Sequence, residues 1–135
     1  MDAPLPRPLT CDRTLDDLLR FERFIAVGAN SGGDQVRHWL TAQGKTVIAF
    51  TDLSPRLQGQ PRQGLPVLPP ENCLTHLDRR TAFVIGTVRQ KEAAELLVET
   101  LGVPPEQVFP FVNPMFAAHY APGAQARLAG RLDRV

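Results

Sequence analysis

Cysteine is scarce: Cys11 and Cys73 are the only two in 135 residues, and neither belongs to a CxxC pair. That usage fits reduced thiols in a cytoplasmic protein, a single Cys11–Cys73 disulfide being the other reading. No apolar run approaches the roughly 20 residues that a membrane-spanning helix needs. The start, MDAPLPRPLT, is proline-rich and lacks the apolar core of a secretory signal. A formal net charge of +1 provides no global field to draw the chain to nucleic acid or membrane. His38, His76 and His119 lie far apart and fit no metal-ligand spacing. No Ser-His-Asp or Cys-His arrangement and no paired carboxylates stand out. Tyr120 is the sole tyrosine, and no Tyr-x-x-x-Lys pair exists.

What is present is ordinary in amount and ordered in sequence. Apolar residues make up 43% and charged residues 21%, enough for one domain with one core. The organising stretch runs from Arg23 to Asp52. Phe24 to Val27 is an apolar run uninterrupted by polar residues, the pattern of a strand buried on both faces. Gly28-Ala29-Asn30-Ser31-Gly32-Gly33 is a glycine-rich turn. A helix is predicted from Gly33 to about Gln43, with Val36, Trp39 and Leu40 inward and Asp34, Arg37 and Thr41 outward. Gly44 is placed to stop it. Thr46 to Thr51 is a second strand, and Asp52 follows.

The remaining elements repeat this alternation. Residues 1–12 read as a loose arm, and Thr14-x-x-Asp17 resembles a capping box opening a short helix. Leu53 to Gly64 is polar and turn-rich. Leu65 to Leu68 is a third strand, its proline marking it as an edge. Pro70 opens a short helix to about Leu77. Thr81 to Ile85 is a fourth strand ended by Gly86. A long helix is predicted from Val88 to Leu101 and a fifth strand from Gln107 to Val112. Asn113 to Tyr120 reads as a final helical turn. The units are then an arm and short helix (1–22), the main domain (23–120) and a weakly amphipathic tail (121–135).

Strands alternating with helices define an α/β fold: three αβα layers around a five-stranded parallel sheet of order 3-2-1-4-5. The order reverses between the strands ending at Gly28 and Gly86. Open parallel sheets bind ligands at the carboxyl ends of such a pair. The sequence of strand, glycine turn, helix, strand and acidic residue is that of a Rossmann-like nucleotide-binding unit. Against G-x-G-x-x-G, Gly28 and Gly33 match, and Asn30 replaces the middle glycine. Asn tolerates left-handed backbone, but its side chain keeps a pyrophosphate further from the main chain. Asp52 stands where an acidic residue accepts hydrogen bonds from ribose hydroxyls. Arg89 is placed to meet a phosphate, and the helix N-terminus offers free N–H groups. The candidate ligand-binding residues are Gly28, Ala29, Asn30, Gly32, Gly33, Asp52, Gly86, Thr87 and Arg89. Each has a structural alternative: a tight turn that any parallel βαβ unit needs, a loop cap at Asp52, a solvated surface arginine at Arg89. Cys73 reads as a small buried residue, and His119 is the one histidine placed near the carboxyl edge.

The run GANSGG, then FTD, then GQPRQGLPVLPPE, then FVIGTVRQ resembles the N-terminal domain of PglD-like sugar O-acyltransferases. It is also similar to the small Rossmann-like domain associated with FkbM-type methyltransferases and polysaccharide biosynthesis proteins. The resemblance covers roughly residues 23–113 and implies a nucleotide or nucleotide-sugar crevice at Gly28, Asn30, Gly33, Asp52 and Gly86. The chain has no hexapeptide repeats, so the resemblance does not carry the transferase activity over. The expectation is a cytoplasmic binding module, not catalytic by itself, taking a small-molecule nucleotide such as a UDP-sugar or NAD. It contacts neither nucleic acid nor membrane. It is a homodimer or a domain of a longer protein. Two other readings stay open: a small NAD-dependent oxidoreductase or epimerase-like enzyme, and a ligand-free structural or dimerisation module.

Overall fold

The computed structural model describes residues 15–110. In chain order these form helix α1 (Leu15–Leu19), strand β1 (Arg23–Val27), helix α2 (Ser31–Ala42), β2 (Thr46–Thr51), β3 (Pro61–Arg62) and β4 (Leu65–Leu68). There follow a 3₁₀ helix (Pro70–His76), β5 (Thr81–Ile85), α3 (Gln90–Glu95) continued by a π-helical stretch (Leu96–Thr100), a 3₁₀ turn (Pro105–Gln107) and β6 (Val108–Pro110). The arm, the Thr14 cap, Cys11, His119 and the tail fall outside the described residues.

The sheet has six strands in the order β3-β4-β2-β1-β5-β6. β1 is central and parallel to both β2 and β5, and β6 runs parallel beyond β5. The five expected parallel strands are therefore β4, β2, β1, β5 and β6, in the expected order. The sixth, β3, is antiparallel to β4 and corrects the five-strand count. It forms a hairpin through Gln63 and Gly64, both at positive φ (50° and 81°), the geometry of a two-residue turn matched to strand twist.

The central strands are apolar on both sides because both faces are covered. Phe24 and Ala26 of β1 join Leu18, Val36, Leu40, Phe50 and Val84 in one cluster under α1 and α2. Ile25, Phe83 and Ile85 join Cys73, Leu97, Val103 and Val108 in a second, under the 3₁₀ helix and α3. Phe24, Phe50, Phe83 and Phe109 are wholly buried, and truncating such a ring to alanine costs roughly 3–5 kcal/mol. Trp39, expected in the core, is half-buried and packs on the rim of the first cluster.

Helix boundaries differ from expectation for identifiable reasons. α2 begins at Ser31, two residues early, because the Asn30 side chain caps it. It ends as expected. Gly44 sits at φ +79°, with Lys45 N–H on Leu40 O and Gly44 N–H on Thr41 O, the two bonds of a Schellman stop. The helix expected over 88–101 starts only at Gln90, since Arg89 has non-helical backbone (φ −86°, ψ 65°). Its last turns widen, with Leu101 N–H reaching back five residues to Leu96 O.

β3 and β4 are clamped to α2. Arg62 donates through Nε and Nη2 to the two carboxylate oxygens of Asp34 at 2.8 and 2.7 Å. Arg37 Nη1 donates to Gln63 O at 2.6 Å. Asp34 and Arg37, expected in solvent, are thus both tied to the hairpin. The Arg62 hydrogen bonds hold the Asp34 carboxyl below its usual range against the opposing effect of desolvation. At the amino edge of the sheet, the Gln107 amide donates to Asp78 O and Thr81 O at 2.6 and 2.7 Å. No helix among the described residues is long and apolar enough to cross a membrane.

Candidate functional site

The carboxyl ends of β1, β2 and β5 meet where the strand order reverses, and a crevice opens there on the α3 side of the sheet. It is lined by Val27 at the end of β1 and Gly28 after it, Thr51 at the end of β2 with Asp52 and Leu53 after it, Pro70, Thr87, and Ala93, Leu96 and Leu97 from the helix covering it. Its volume is about 90 Å³. That holds several waters and falls well below the roughly 300–1,000 Å³ of pockets that engulf a whole ligand. A ligand here would insert one moiety and rest the remainder on the rim. Leu96 and Leu97, the first two residues of the widened stretch, both line the crevice. A larger hollow of about 290 Å³, lined by Arg20, Phe21, Arg79, Glu106 and Gln107, lies at the opposite, amino edge. The Gln107 amide there is already committed to two carbonyls.

Asp52 is the single charged residue of the crevice lining. One carboxylate oxygen accepts from Ala29 N–H at 2.8 Å and the other from Ser54 N–H at 2.9 Å. Asp52 therefore ties the glycine turn to the loop after β2 and is held rigidly at the crevice rim. A carboxylate has about four lone-pair positions, so this use leaves acceptor capacity. Gln58 Nε2 donates to Asp52 O at 2.7 Å, fixing the backbone as well. Arg62 feels the charge of Asp52, but Asp34 has the larger hold on it.

The glycine turn is compact. Gly28 is at φ +116° and donates its N–H to Thr51 O at 2.8 Å. Asn30 is extended (φ −153°, ψ −172°), and its Oδ1 accepts from Gly33 N–H at 3.2 Å. This corrects the left-handed role expected of Asn30: it is a helix N-cap. Gly32, Gly33 and Gly86 form a bare-backbone seam. A Cβ on Gly32 would stand 1.9 Å from Gly86 O, one on Gly33 1.8 Å from Gly28 O, and one on Gly86 2.6 Å from Gly32 C. The first turn of α2 is pressed onto the ends of both β1 and β5, with no room for a side chain between them.

Of the residues expected to form the site, Gly28, Asp52 and Thr87 line the crevice, and Ala29 positions Asp52. Gly32, Gly33 and Gly86 serve the packing seam beside it. Arg89 is exposed and 3.9 Å from Glu92, outside the crevice lining. An exposed pair of that kind contributes little. Sequence reasoning missed Leu53, which is 65% exposed at the rim although apolar, and Gln90. The Gln90 amide donates to Ile85 O and Thr87 O at 2.7 and 2.6 Å, fixing the β5–α3 loop. Its Oε1 is buried and accepts no hydrogen bond among the described residues. The only signal for Gln90 was its place in the first turn of a helix. Cys73 is buried, which pushes its thiol pKa up, so it is a packing residue rather than a nucleophile. No group of three His, Cys, Asp or Glu suited to a metal occurs among the described residues.

A parallel sheet covered on both faces, reversing order between β1 and β5, with a glycine turn and an acidic residue at the crevice, defines a Rossmann-like α/β domain. No family model matches the chain, and no curated protein does. Among solved structures, the chain is similar to UDP-D-quinovosamine 4-dehydrogenase from Vibrio fischeri, at 20% identity and a TM-score of 0.50. That likeness covers 69% of this chain and 80% of the dehydrogenase, and it bears out the fold class. The chain is also similar to RSP, a Rex-family repressor, at 15% identity and a TM-score of 0.49, over 87% of this chain and 65% of the repressor. RSP has also been solved with beta-NADH, and with beta-NAD+ and operator DNA.

Proposed function

We propose that this chain is a nucleotide- or nucleotide-sugar-binding module serving carbohydrate or polysaccharide biosynthesis in the cytoplasm, without catalysis of its own. The observation that carries the reading is Asp52. It is a half-buried carboxylate just after β2, fixed by two main-chain N–H groups and facing an otherwise uncharged and mainly apolar crevice. Such an acceptor suits paired ribose hydroxyls, and the apolar lining suits the flat face of a base. The glycine turn, Asp52 and the β5–α3 loop are also the parts that resemble the PglD-like and FkbM-associated domains. The similar dehydrogenase, named for a UDP-sugar, is in keeping with the sugar-nucleotide version of this reading.

The test is calorimetric titration of the full chain with UDP, UDP-glucose, NAD and coenzyme A. Saturable binding of UDP or UDP-glucose is the expected result. The informative variant is Asp52→Asn, which keeps the shape of the side chain and one acceptor oxygen while losing one of the two main-chain ties, so a thermal melt accompanies it to establish that it is folded. It weakens binding about tenfold, as expected for loss of one charge-assisted bond. Asp52→Ala is the poorer test, because it also unties Ala29 and Ser54 and so disturbs the turn. Binding that Asp52→Asn leaves unchanged refutes the assignment, and binding of NAD alone moves the reading to an oxidoreductase.

A further inference from the structure

The glycine turn differs from an open phosphate cradle in three ways, all at or beside Asn30. The Asn30 side chain folds back over the turn. Its Oδ1 and Nδ2 each lie 3.2 Å from where a Cβ of Gly28 would be, and Oδ1 is equally close to the corresponding point on Gly32. Four of the seven N–H groups from Gly28 to Asp34 already have an acceptor. Gly28 donates to Thr51 O, Ala29 to Asp52, Gly33 to Asn30 Oδ1 and Asp34 to Asn30 O. Between them the N–H groups of Asn30, Ser31 and Gly32 have no acceptor among the described residues. The flank toward β5 is sealed by Gly86, whose carbonyl oxygen abuts Gly32. A diphosphate crossing this turn would meet an amide side chain instead of bare backbone.

Charge points the same way. The crevice lining has one charged group, the Asp52 anion, and no cation. Arg89 is exposed and lies outside the lining, only loosely paired with Glu92, and Arg62 is held by Asp34. A diphosphate drawn across the turn would lie beside a carboxylate, and the cation that senses that carboxylate, Arg62, is already committed to Asp34 by two hydrogen bonds. A ribose offers hydroxyl donors to the same carboxylate at no such cost. The crevice of about 90 Å³ also takes in one small moiety and leaves the remainder of a longer ligand at the rim.

Building on the nucleotide reading above, we propose that the crevice recognises the nucleoside end of its ligand alone. Any phosphates point to solvent, and Asn30 is the residue that sets this preference. Nucleoside, nucleoside monophosphate and nucleoside diphosphate-sugar of one base then bind alike. Asn30→Gly uncovers Gly28 and adds Gly33 N–H to the N–H groups of Ser31 and Gly32, enlarging the donor set that an anion meets at the start of α2. The cost to the cap is small, since glycine is nearly as good as asparagine there.

The experiment titrates uridine, UMP, UDP and UDP-glucose, with adenosine and NAD as a second series, into the wild-type chain and into Asn30→Gly. Thermal melting of each protein establishes that it is folded. The expected wild-type result is dissociation constants within about threefold across a series, and in Asn30→Gly a gain of about tenfold for the diphosphates over the nucleoside. If Asn30→Gly does not fold, Asn30→Ser replaces it. Serine keeps the cap and removes the amide, and a gain of the same sign is expected. Wild-type binding of UDP or NAD ten times or more tighter than uridine or adenosine overturns the proposal. So does a folded variant with an unchanged ratio. Absence of binding by every member of both series sinks the nucleotide reading itself, a different outcome from a preference of the wrong sign.

Discussion

Replacing Gly32 with alanine puts the bare-backbone seam to a direct test, because two physical effects predict opposite signs. On helix propensity alone, Gly→Ala near the start of α2 stabilises by up to about 1 kcal/mol. The seam predicts the reverse. The new methyl would sit 1.9 Å from Gly86 O, about 1.5 Å inside an ordinary contact. Both partners are main chain, one in a helix and one at a strand end, so neither can rotate aside. The first turn of α2 must lift off β5. Overpacking against side chains costs roughly 1–3 kcal/mol, and a clash of this depth against backbone belongs at or above the top of that range. For a domain of this size a loss of about 3 kcal/mol lowers Tm by roughly 12–24 °C. The assay is urea unfolding followed by circular dichroism, with the midpoint falling and the m-value unchanged. Gly86→Ala should behave similarly. The double variant should cost less than the two singles together, because the second methyl enters a seam already open. A Gly32→Ala midpoint equal to or above wild type would refute the packing described.

Two further perturbations address stability away from the crevice. Asp34→Asn removes the charge from the hairpin clamp and is expected to cost about 1 kcal/mol, as a partly exposed bidentate pair does. Because the folded-state pKa of Asp34 is lowered, its contribution is present above the unfolded carboxylate pKa of about 3.9 and is lost as pH falls through the lower folded value. The wild type should therefore lose stability relative to Asp34→Asn only in the acid range below about pH 4, which unfolding midpoints at pH 7 and pH 3 would show. Gln107→Leu strips the shared donor from Asp78 O and Thr81 O at a buried position. It is expected to cost about 1–3 kcal/mol at any pH from 5 to 8, and an unfolding midpoint equal to wild type would refute the role given to the amide.

The parallel core was legible because burial on both faces leaves an unmistakable trace. FIAV, TVIAFT and TAFVI have almost no polar interruption, and glycine follows two of them. The hairpin at Pro61–Leu68 was not legible as a hairpin. Its first strand is two residues long and begins with proline, and its turn, Gln63-Gly64, lacks the asparagine or aspartate that usually marks such turns. The role of Asn30 was misread although the residue type was informative. Asparagine is both a left-handed residue and a helix cap, and the following Ser31-Gly32-Gly33-Asp34 does not decide between them. Asp52 could be found from its spacing after the turn. Its partners could not, since the Ala29 N–H it accepts is 23 residues away and backbone donors have no signature in sequence. Leu53 and Gln90 were passed over because an apolar loop residue and a helix-surface glutamine are common everywhere.

The hairpin that completes the sheet also decides what another polypeptide would meet at that border. An uncovered β4 would offer its main-chain groups to any extended chain, the usual route to edge-to-edge aggregation. Here β3 takes that position with only two residues, one of them Pro61, which has no N–H to give. Pro66 removes a second donor from the strand behind it, and Arg62 is anchored to Asp34 and places a charge at the margin. The border is too short, too poor in donors and too charged to template a further strand. The same clamp that holds the sheet to α2 thus helps to keep separate molecules separate on this side.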